Sequence, residues 1–196
     1  MTGFEYEYVK LAKSDVEEYK KSTYSQGVFP YLKDETSGEG WGESVAIARF
    51  MCNSKPESGL YGSTLYESAQ IDEVIERHMF AFQQFIMKEV GSVVGFFSIT
   101  EEKHAEHTKK LKDYLEKLNT LLDGKQYFVG EKLTLADVYV CMSMNLFMAT
   151  VIDAELRKSV PHLTAWYERV RANGTIVSYL GTPRYIGAAL HPKITE

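Results

Sequence analysis

The 196-residue chain has only two cysteines, Cys52 and Cys141, and it lacks a long uninterrupted run of apolar residues. Two cysteines cannot build the disulfide framework of a small secreted domain, so the composition favours a reducing, cytoplasmic compartment. The most apolar stretch, residues 133–151, contains Asp137 and Asn145, which argues against a membrane span. The first residues also lack the basic and then apolar pattern of a signal peptide.

The chain has fewer basic than acidic residues. It contains 22 lysines and arginines and 27 aspartates and glutamates, which gives a net charge of −5. Nucleic-acid backbones and anionic membranes attract dense positive patches, so neither is predicted as a direct partner. The hydrophobic fraction of 44% is typical of a globular protein with a real core.

The first 53 residues have short strand and helix patterns. Alternating apolar and acidic side chains predict a half-buried strand over residues 4–9. The other predicted elements are a helix capped by Ser14 and Glu17, a strand over 27–32 that contains Pro30, a strand around Trp41 and a helix that begins near Ser44.

After the polar, breaker-rich segment 54–63, every pattern predicts a helix. The predicted helices cover about 65–90, 100–122, 134–150 and 153–158, and a last one follows Pro161. The chain is therefore divided into a small mixed domain (1–53), a linker (54–63) and an all-helical domain (64–196). This order defines an α+β protein.

The helix at 134–150 is apolar nearly all round, so it is expected inside a bundle. Thr134 and Asp137 have the spacing of an N-capping box, in which each side chain bonds the backbone N–H of the other residue. Because a buried helix end has no water for its free amides, the box is predicted to be structural.

Two stretches resemble the glutathione transferase superfamily over nearly the whole chain. They are Glu-Ser-Val-Ala-Ile at 43–47, and Phe-Val-Gly-Glu followed by Leu-Thr-Leu-Ala-Asp at 128–137. The resemblance implies a thioredoxin-like domain followed by a helix bundle. Leu-Tyr-Gly-Ser-Thr at 60–64 adds a similarity to the transferase-like domain of elongation factor 1-gamma, a domain type also found in aminoacyl-tRNA synthetase scaffolds.

The resemblance also implies that the thioredoxin-like domain is abbreviated. Members of the superfamily begin with a strand and helix that carry the residue activating the glutathione thiol, and here Pro30 comes too early for that opening. Tyr6 and Tyr8 lie on the strand that matches the second family strand, so we assign no catalytic residue. The chain is then a naturally short form or part of a longer protein.

By the same resemblance, a vestigial glutathione site would consist of Phe29, a cis Pro30, Glu43 and Ser44. The Phe29 backbone would bind the ligand as an added strand, and Glu43-Ser44 at a helix N-terminus would hold its γ-glutamyl end. The alternative is that Ser44 only caps its helix. No resident cofactor is implied, and glutathione would be a ligand or substrate.

The other polar and sulfur-containing candidates have simpler interpretations. His104 and His107 have the i,i+3 spacing of a metal pair, but no third ligand is evident, and the charged context favours a solvated helix face. Cys52 and Cys141 are interpreted as small core residues. No metal site is predicted.

The resemblance therefore implies a protein–protein interaction module of the translation machinery with little or no catalysis. Its expected partners are other translation-factor subunits or aminoacyl-tRNA synthetases, docked on residues 65–90 and 153–172, and a homodimer is the other assembly that the resemblance allows. The alternative is a glutathione transferase that conjugates glutathione to electrophiles. That chemistry requires a group that stabilises the thiolate near neutral pH.

Overall fold

The computed structural model describes residues 1–22 and 29–195. The chain divides into two compact units, Met1–Ser63 and Thr64–Glu196. Residues 54–63, expected as a linker, belong to the first unit and include a 3₁₀ turn at Pro56–Ser58. No helix within the described residues is both long and apolar enough to cross a bilayer.

The first unit contains two short helices and a two-stranded sheet. Its elements are a 3₁₀ turn at Lys13–Asp15, α1 (Val16–Ser22), β1 (Tyr31–Lys33), β2 (Gly40–Gly42) and α2 (Ser44–Asn53). The strands are antiparallel, and Leu32 lies opposite Trp41. The Trp41 ring packs edge-on against Phe50 of α2 at 4.7 Å, which places the helix on the sheet. The predicted strand 27–32 falls partly outside the described residues, since 23–28 are not among them.

The predicted strand over residues 4–9 is wrong. This segment has no regular secondary structure, and Tyr8 is 78% exposed. A strand needs a neighbour that satisfies its backbone groups, and among the described residues the only ladder joins β1 to β2. Within this segment, the Phe4 ring packs edge-on against the Phe50 ring, with 5.8 Å between the ring centroids.

The predicted cap at Ser14 is also wrong. Ser14 lies inside the 3₁₀ turn, and its hydroxyl donates to the neighbouring Asp15 carboxylate at 2.7 Å. The α-helix begins two residues later, at Val16. A short polar side chain that bonds its direct neighbour is not free to cap the following turn.

The second unit is a helix bundle. Its helices are α3 (Leu65–Ala81), α4 (Met87–Val93), α5 (Glu101–Leu121), α6 (Leu135–Met148), α7 (Ala154–Ser159), α8 (Pro161–Arg171) and α9 (Gly174–Leu180), and a π-helical turn at Phe82–Ile86 joins α3 to α4. The predicted helix 65–90 is therefore present, with a π turn inside it. Asn173 caps α9 by accepting from the N–H of Thr175 at 3.1 Å.

Helix α6 lies at the centre of the bundle, as its apolar sequence predicts. Ala136, Val140, Cys141 and Met148 have no measurable exposure. Trp166 of α8 is also fully buried, and its ring meets that of Phe128 edge-on at 4.8 Å. Burying each large apolar side chain contributes roughly 1.5–3 kcal/mol, so these two helices supply a substantial part of the stability of the unit.

Candidate functional site

The four residues expected to form a ligand site lie at one end of the small sheet. The last pair of the ladder joins Tyr31 to Gly42, so the next residues outward, Pro30 and Glu43, continue the two strands side by side. Phe29 and Ser44 follow them. The Phe29–Pro30 peptide bond is cis, and the Phe29 ring is 55% exposed and stacks on Tyr19 at 4.8 Å.

Glu43 has an unusual backbone conformation at the start of α2. Its φ is +68° and its ψ is 111°, and among residues 1–22 and 29–195 it is the only non-glycine with a positive φ. Such conformations are typically worth 1–3 kcal/mol of strain and are concentrated at functional sites. The side chain of Glu43 is exposed and makes no capping bond to the helix.

The alternative that Ser44 merely caps α2 is wrong. Glu43 holds the N-cap position, and Ser44 is the first helical residue. No described residue hydrogen-bonds the exposed Ser44 hydroxyl, and the amides of the first turn have no partner within the helix. This end of α2 therefore presents N–H groups and a free hydroxyl, a combination that can bind a carboxylate.

In the helical unit, the predicted capping box is present. Asp137 also accepts hydrogen bonds from two residues outside the box, which the sequence does not indicate. The Asp137 carboxylate is fully buried and accepts four hydrogen bonds. Oδ2 accepts from the N–H and the hydroxyl of Thr134, both at 2.9 Å. Oδ1 accepts from the N–H of Phe128 at 3.0 Å and from the indole N–H of Trp166 at 2.8 Å. Burial raises the pKa of Asp137, and these four donors act against that rise.

The prediction that His104 and His107 form a solvated face is wrong. His107 is 5% exposed, and Nδ1 of His104 lies 2.5 Å from Oε1 of Glu89, a carboxylate that is itself 2% exposed. Glu89 comes from α4, fifteen residues earlier, so the sequence around the histidines gives no sign of it. Among the described residues, no group of three or more potential ligands is arranged to hold a metal ion.

A buried histidine that sequence analysis missed lies at the centre of the bundle. Nδ1 of His78 on α3 is 2.6 Å from the hydroxyl of Tyr114 on α5, and Nε2 contacts the hydroxyl of Ser143 on α6. Because Ser143 donates its own proton to the carbonyl of Val140, it accepts from His78 Nε2–H, and Tyr114 donates to Nδ1. Burial lowers the pKa of His78 to about 4. The neutral ring thus joins three helices and does not activate Ser143.

The two cysteines are core residues, as predicted. Cys52 is 3% exposed and Cys141 is fully buried. Burial raises the pKa of Cys52, and it raises the pKa of Cys141 to about 12. Neither thiol has the accessible, electropositive setting of a reactive cysteine.

One exposed surface of the helical unit that carries large apolar side chains lies along α3. Leu65 is 92% exposed, Tyr66 74% and Phe80 68%. Leu65, Ala69, Glu73, Arg77 and Phe80 follow one another at spacings of four or three residues and are all exposed, so they share one side of the helix. We refer to these five residues together with Tyr66 as the α3 face.

The family model of the glutathione S-transferase C-terminal domain matches residues 89–183. The chain is 31% identical over 180 residues to hematopoietic prostaglandin D synthase of Gallus gallus, an alignment that covers 91% of this chain and 83% of that protein. The chain therefore belongs to the glutathione S-transferase superfamily.

Within that superfamily, the chain is also similar to elongation factor 1-gamma proteins. It is 31% identical over 139 residues to elongation factor 1-gamma 1 of Arabidopsis thaliana, covering 71% of this chain and 34% of that protein. The chain thus spans about a third of the length of that relative. The crystal structure of the GST-like domain of elongation factor 1-gamma from Saccharomyces cerevisiae superposes with a TM-score of 0.77 over 92% of this chain and 84% of that one. Its sequence identity is 15%, so this match shows the fold alone.

Proposed function

We propose that the chain is a protein–protein interaction module of the translation machinery, of the elongation factor 1-gamma type, with little or no catalysis. The observation that carries the proposal is the α3 face. It leaves Leu65, Tyr66 and Phe80 open to solvent on a helix whose opposite side, with Ile71 and Ile75, is fully buried.

The chemistry of the α3 face suits a protein partner. Large apolar and aromatic side chains lie at its two ends, and an ion pair between Arg77 and Glu73, at 2.6 Å, lies between them. Aromatic residues and arginine are enriched at protein interfaces. An exposed ion pair contributes little to stability, so the Arg77–Glu73 pair is not needed for folding.

The similarity to elongation factor 1-gamma supports a partner from translation. We propose other translation-factor subunits or aminoacyl-tRNA synthetases as partners, with the cytoplasm as the compartment. The other docking region predicted from sequence, residues 153–172, is a weaker candidate for a docking surface. No large apolar side chain in it is exposed, because Leu163, Trp166 and Tyr167 all point into the core.

A capture experiment with identified products tests the proposal. The purified chain is immobilised and exposed to cytosolic extract, and the retained proteins are identified by mass spectrometry. The proposal expects elongation factor 1-beta-type subunits or synthetases to be retained at salt concentrations that remove nonspecific proteins. Recovery of neither class would contradict it.

One observation favours a second function, glutathione conjugation. Glu43 keeps a strained backbone beside the unbonded hydroxyl of Ser44, which is the geometry expected of a carboxylate site rather than of a simple cap. Immobilised glutathione and a chromogenic electrophile separate the two functions. Tight retention together with turnover would favour the transferase, whereas retention without turnover fits a module that keeps only the binding site.

A further inference from the structure

A cleft of about 400 Å³ lies in the helical unit between α5, residues within 151–159 and residues 189–191. Its wall on α5 is a stripe in which His104, Thr108, Lys112 and Glu116 follow one another at spacings of four residues, so they share one side of the helix. At a rise of 1.5 Å per residue, the stripe from His104 to Glu116 is about 18 Å long. The cleft is therefore elongated along α5.

The walls of this cleft have an excess of negative charge. The described residues that line it provide one lysine, Lys112, and four carboxylates, which belong to Glu89, Glu116, Asp153 and Glu155. Lys158 adds one positive charge from outside the lining, since it pairs with Glu155 at 2.7 Å. With both lysines counted and the histidines neutral, the carboxylates exceed the lysines by two. A concave surface of one sign of charge raises the local concentration of oppositely charged ligands.

Glu89 of α4 lies in the cleft wall at the His104 end and is an incompletely bonded buried carboxylate. Its side chain is 3% exposed, and its Oε1 is 2.5 Å from Nδ1 of His104. Its Oε2 is buried and has no hydrogen-bond partner among the described residues, because Nδ1 of His107 is 3.7 Å away. Buried polar atoms normally have a partner. Burial raises the pKa of Glu89 against the effect of His104, and a cation in the cleft would act in the same direction as His104.

Glu116 places a second carboxylate at the other end of the stripe. It is exposed, and neither Glu116 nor Lys112 forms an ion pair within the part of the chain that the structure describes. Asp153 uses Oδ1 to cap α7, where it accepts from the N–H of Leu156 at 2.8 Å, so its Oδ2 remains available. The cleft thus has carboxylates at both ends of a run of about 18 Å.

The lining of the cleft also includes apolar side chains. Leu111, which lies between His104 and Glu116 along α5, is buried, and so is Val151. Leu190 is in the wall as well and is 48% exposed. A compact metal ion would make no use of these surfaces, whereas an alkyl chain would bury them from water.

We propose that this cleft binds a linear polyamine, with ammonium groups at the ends marked by Glu89 and Glu116 and with alkyl segments against Leu111, Val151 and Leu190. Two separated carboxylates match a ligand with two separated positive charges better than they match a monoamine. Lys112, in the same wall, opposes the binding. The cleft shares no residue with the α3 face, so this proposal is independent of the proposed function and is tested separately.

Isothermal titration of the intact chain with spermine at neutral pH and low ionic strength tests the proposal. We expect saturable binding of one spermine per chain that weakens as sodium chloride is added. Magnesium chloride and hexylamine are the comparison ligands, since Mg²⁺ has charge without an alkyl chain and hexylamine has an alkyl chain with one charge. Each is expected to bind roughly tenfold or more weakly than spermine. Absence of saturable spermine binding, or equal binding of Mg²⁺, would overturn the proposal.

Four variants at exposed positions locate the site. Glu116→Gln should weaken spermine binding roughly threefold, and Lys112→Gln should strengthen it by a similar factor. Leu190→Ser should weaken it because apolar contact is lost. Glu131→Gln makes the same change of charge as Glu116→Gln at an exposed residue outside the cleft lining, and it should leave the affinity unchanged. Equal effects of Glu116→Gln and Glu131→Gln, or weaker binding by Lys112→Gln, would show that spermine binds elsewhere and would contradict the proposal.

Discussion

Trp166 of α8 donates its indole N–H to Oδ1 of Asp137 on α6, at 2.8 Å, in a part of the bundle where neither side chain has measurable exposure. The same carboxylate binds the first turn of α6 and the backbone of Phe128. One side chain thus holds two helices and the loop before α6 in a fixed arrangement. The packing of α6 against α8 in this chain depends on this junction.

Asp137→Asn should strongly destabilise the helical unit. The amide group would face donors that now bond a carboxylate oxygen, and buried donors without an acceptor are costly. We expect a loss of about 3–5 kcal/mol in the free energy of unfolding, measured by urea denaturation. Asp123→Asn, at a side chain that is 74% exposed, is the matched control and should change it by less than about 0.5 kcal/mol. Equal effects of the two substitutions would show that the junction is not structural.

The stability of the helical unit should fall in acid because of His78. Its pKa is about 4 in the folded protein and 6.5 in the reference state, so the unfolded chain takes up a proton first as the pH drops below 6.5. The free energy of unfolding should therefore decrease between pH 6.5 and about 4, by up to about 3 kcal/mol from this residue.

His78→Gln should flatten this part of the stability–pH curve, whereas His162→Gln should not. Thermal or urea denaturation at half-unit pH steps gives the two curves. A His78→Gln protein whose curve keeps the slope of the wild type would refute the assignment of a neutral buried ring.

Alanine substitutions at Ser44 and Thr64 test whether the hydroxyl group at each helix N-terminus stabilises the fold. Thr64 caps α3 by accepting from the N–H of Glu67 at 3.1 Å, whereas Ser44 makes no such bond. Thr64→Ala should lower the free energy of unfolding by about 1 kcal/mol, and Ser44→Ala should change it by less than about 0.5 kcal/mol. If the two losses are alike, Ser44 is a cap after all. Any retention of the chain on immobilised glutathione should be weakened by Ser44→Ala alone.

The helical unit could largely be predicted from the sequence, because its signals are local. The 3.6-residue periodicity located the long helices, and the spacing of Thr134 and Asp137 identified the start of the buried one. The π turn at 82–86 and helix α9 were missed. A π turn leaves the apolar pattern nearly unchanged, and Asn173-Gly174 ends one helix and begins the next.

The wrong predictions concern residues whose structure depends on a partner that is distant in the sequence. Residues 4–9 alternate like a strand, but a strand also needs a neighbour. His104 and His107 are surrounded by charged residues in the sequence, yet they face Glu89, which the bundle brings from another helix. For the candidate ligand site, the family motif indicated Glu43 and Ser44. The positive φ of Glu43 and the unbonded Ser44 hydroxyl could be seen only in the structure.

The proposed docking function depends most on the α3 face, and a binding titration tests that face most directly. A purified elongation factor 1-beta-type subunit is titrated into three separate samples. They are the wild-type chain, the Leu65→Glu/Phe80→Glu double variant and the Phe96→Glu variant. Phe96 is 79% exposed in the helical unit but lies off the α3 face, so it is the matched control. We expect the wild type and Phe96→Glu to bind alike, and the double variant to bind roughly tenfold or more weakly, which corresponds to about 1.4 kcal/mol. Absence of binding by the wild type, or equal affinity of the double variant, would contradict the account.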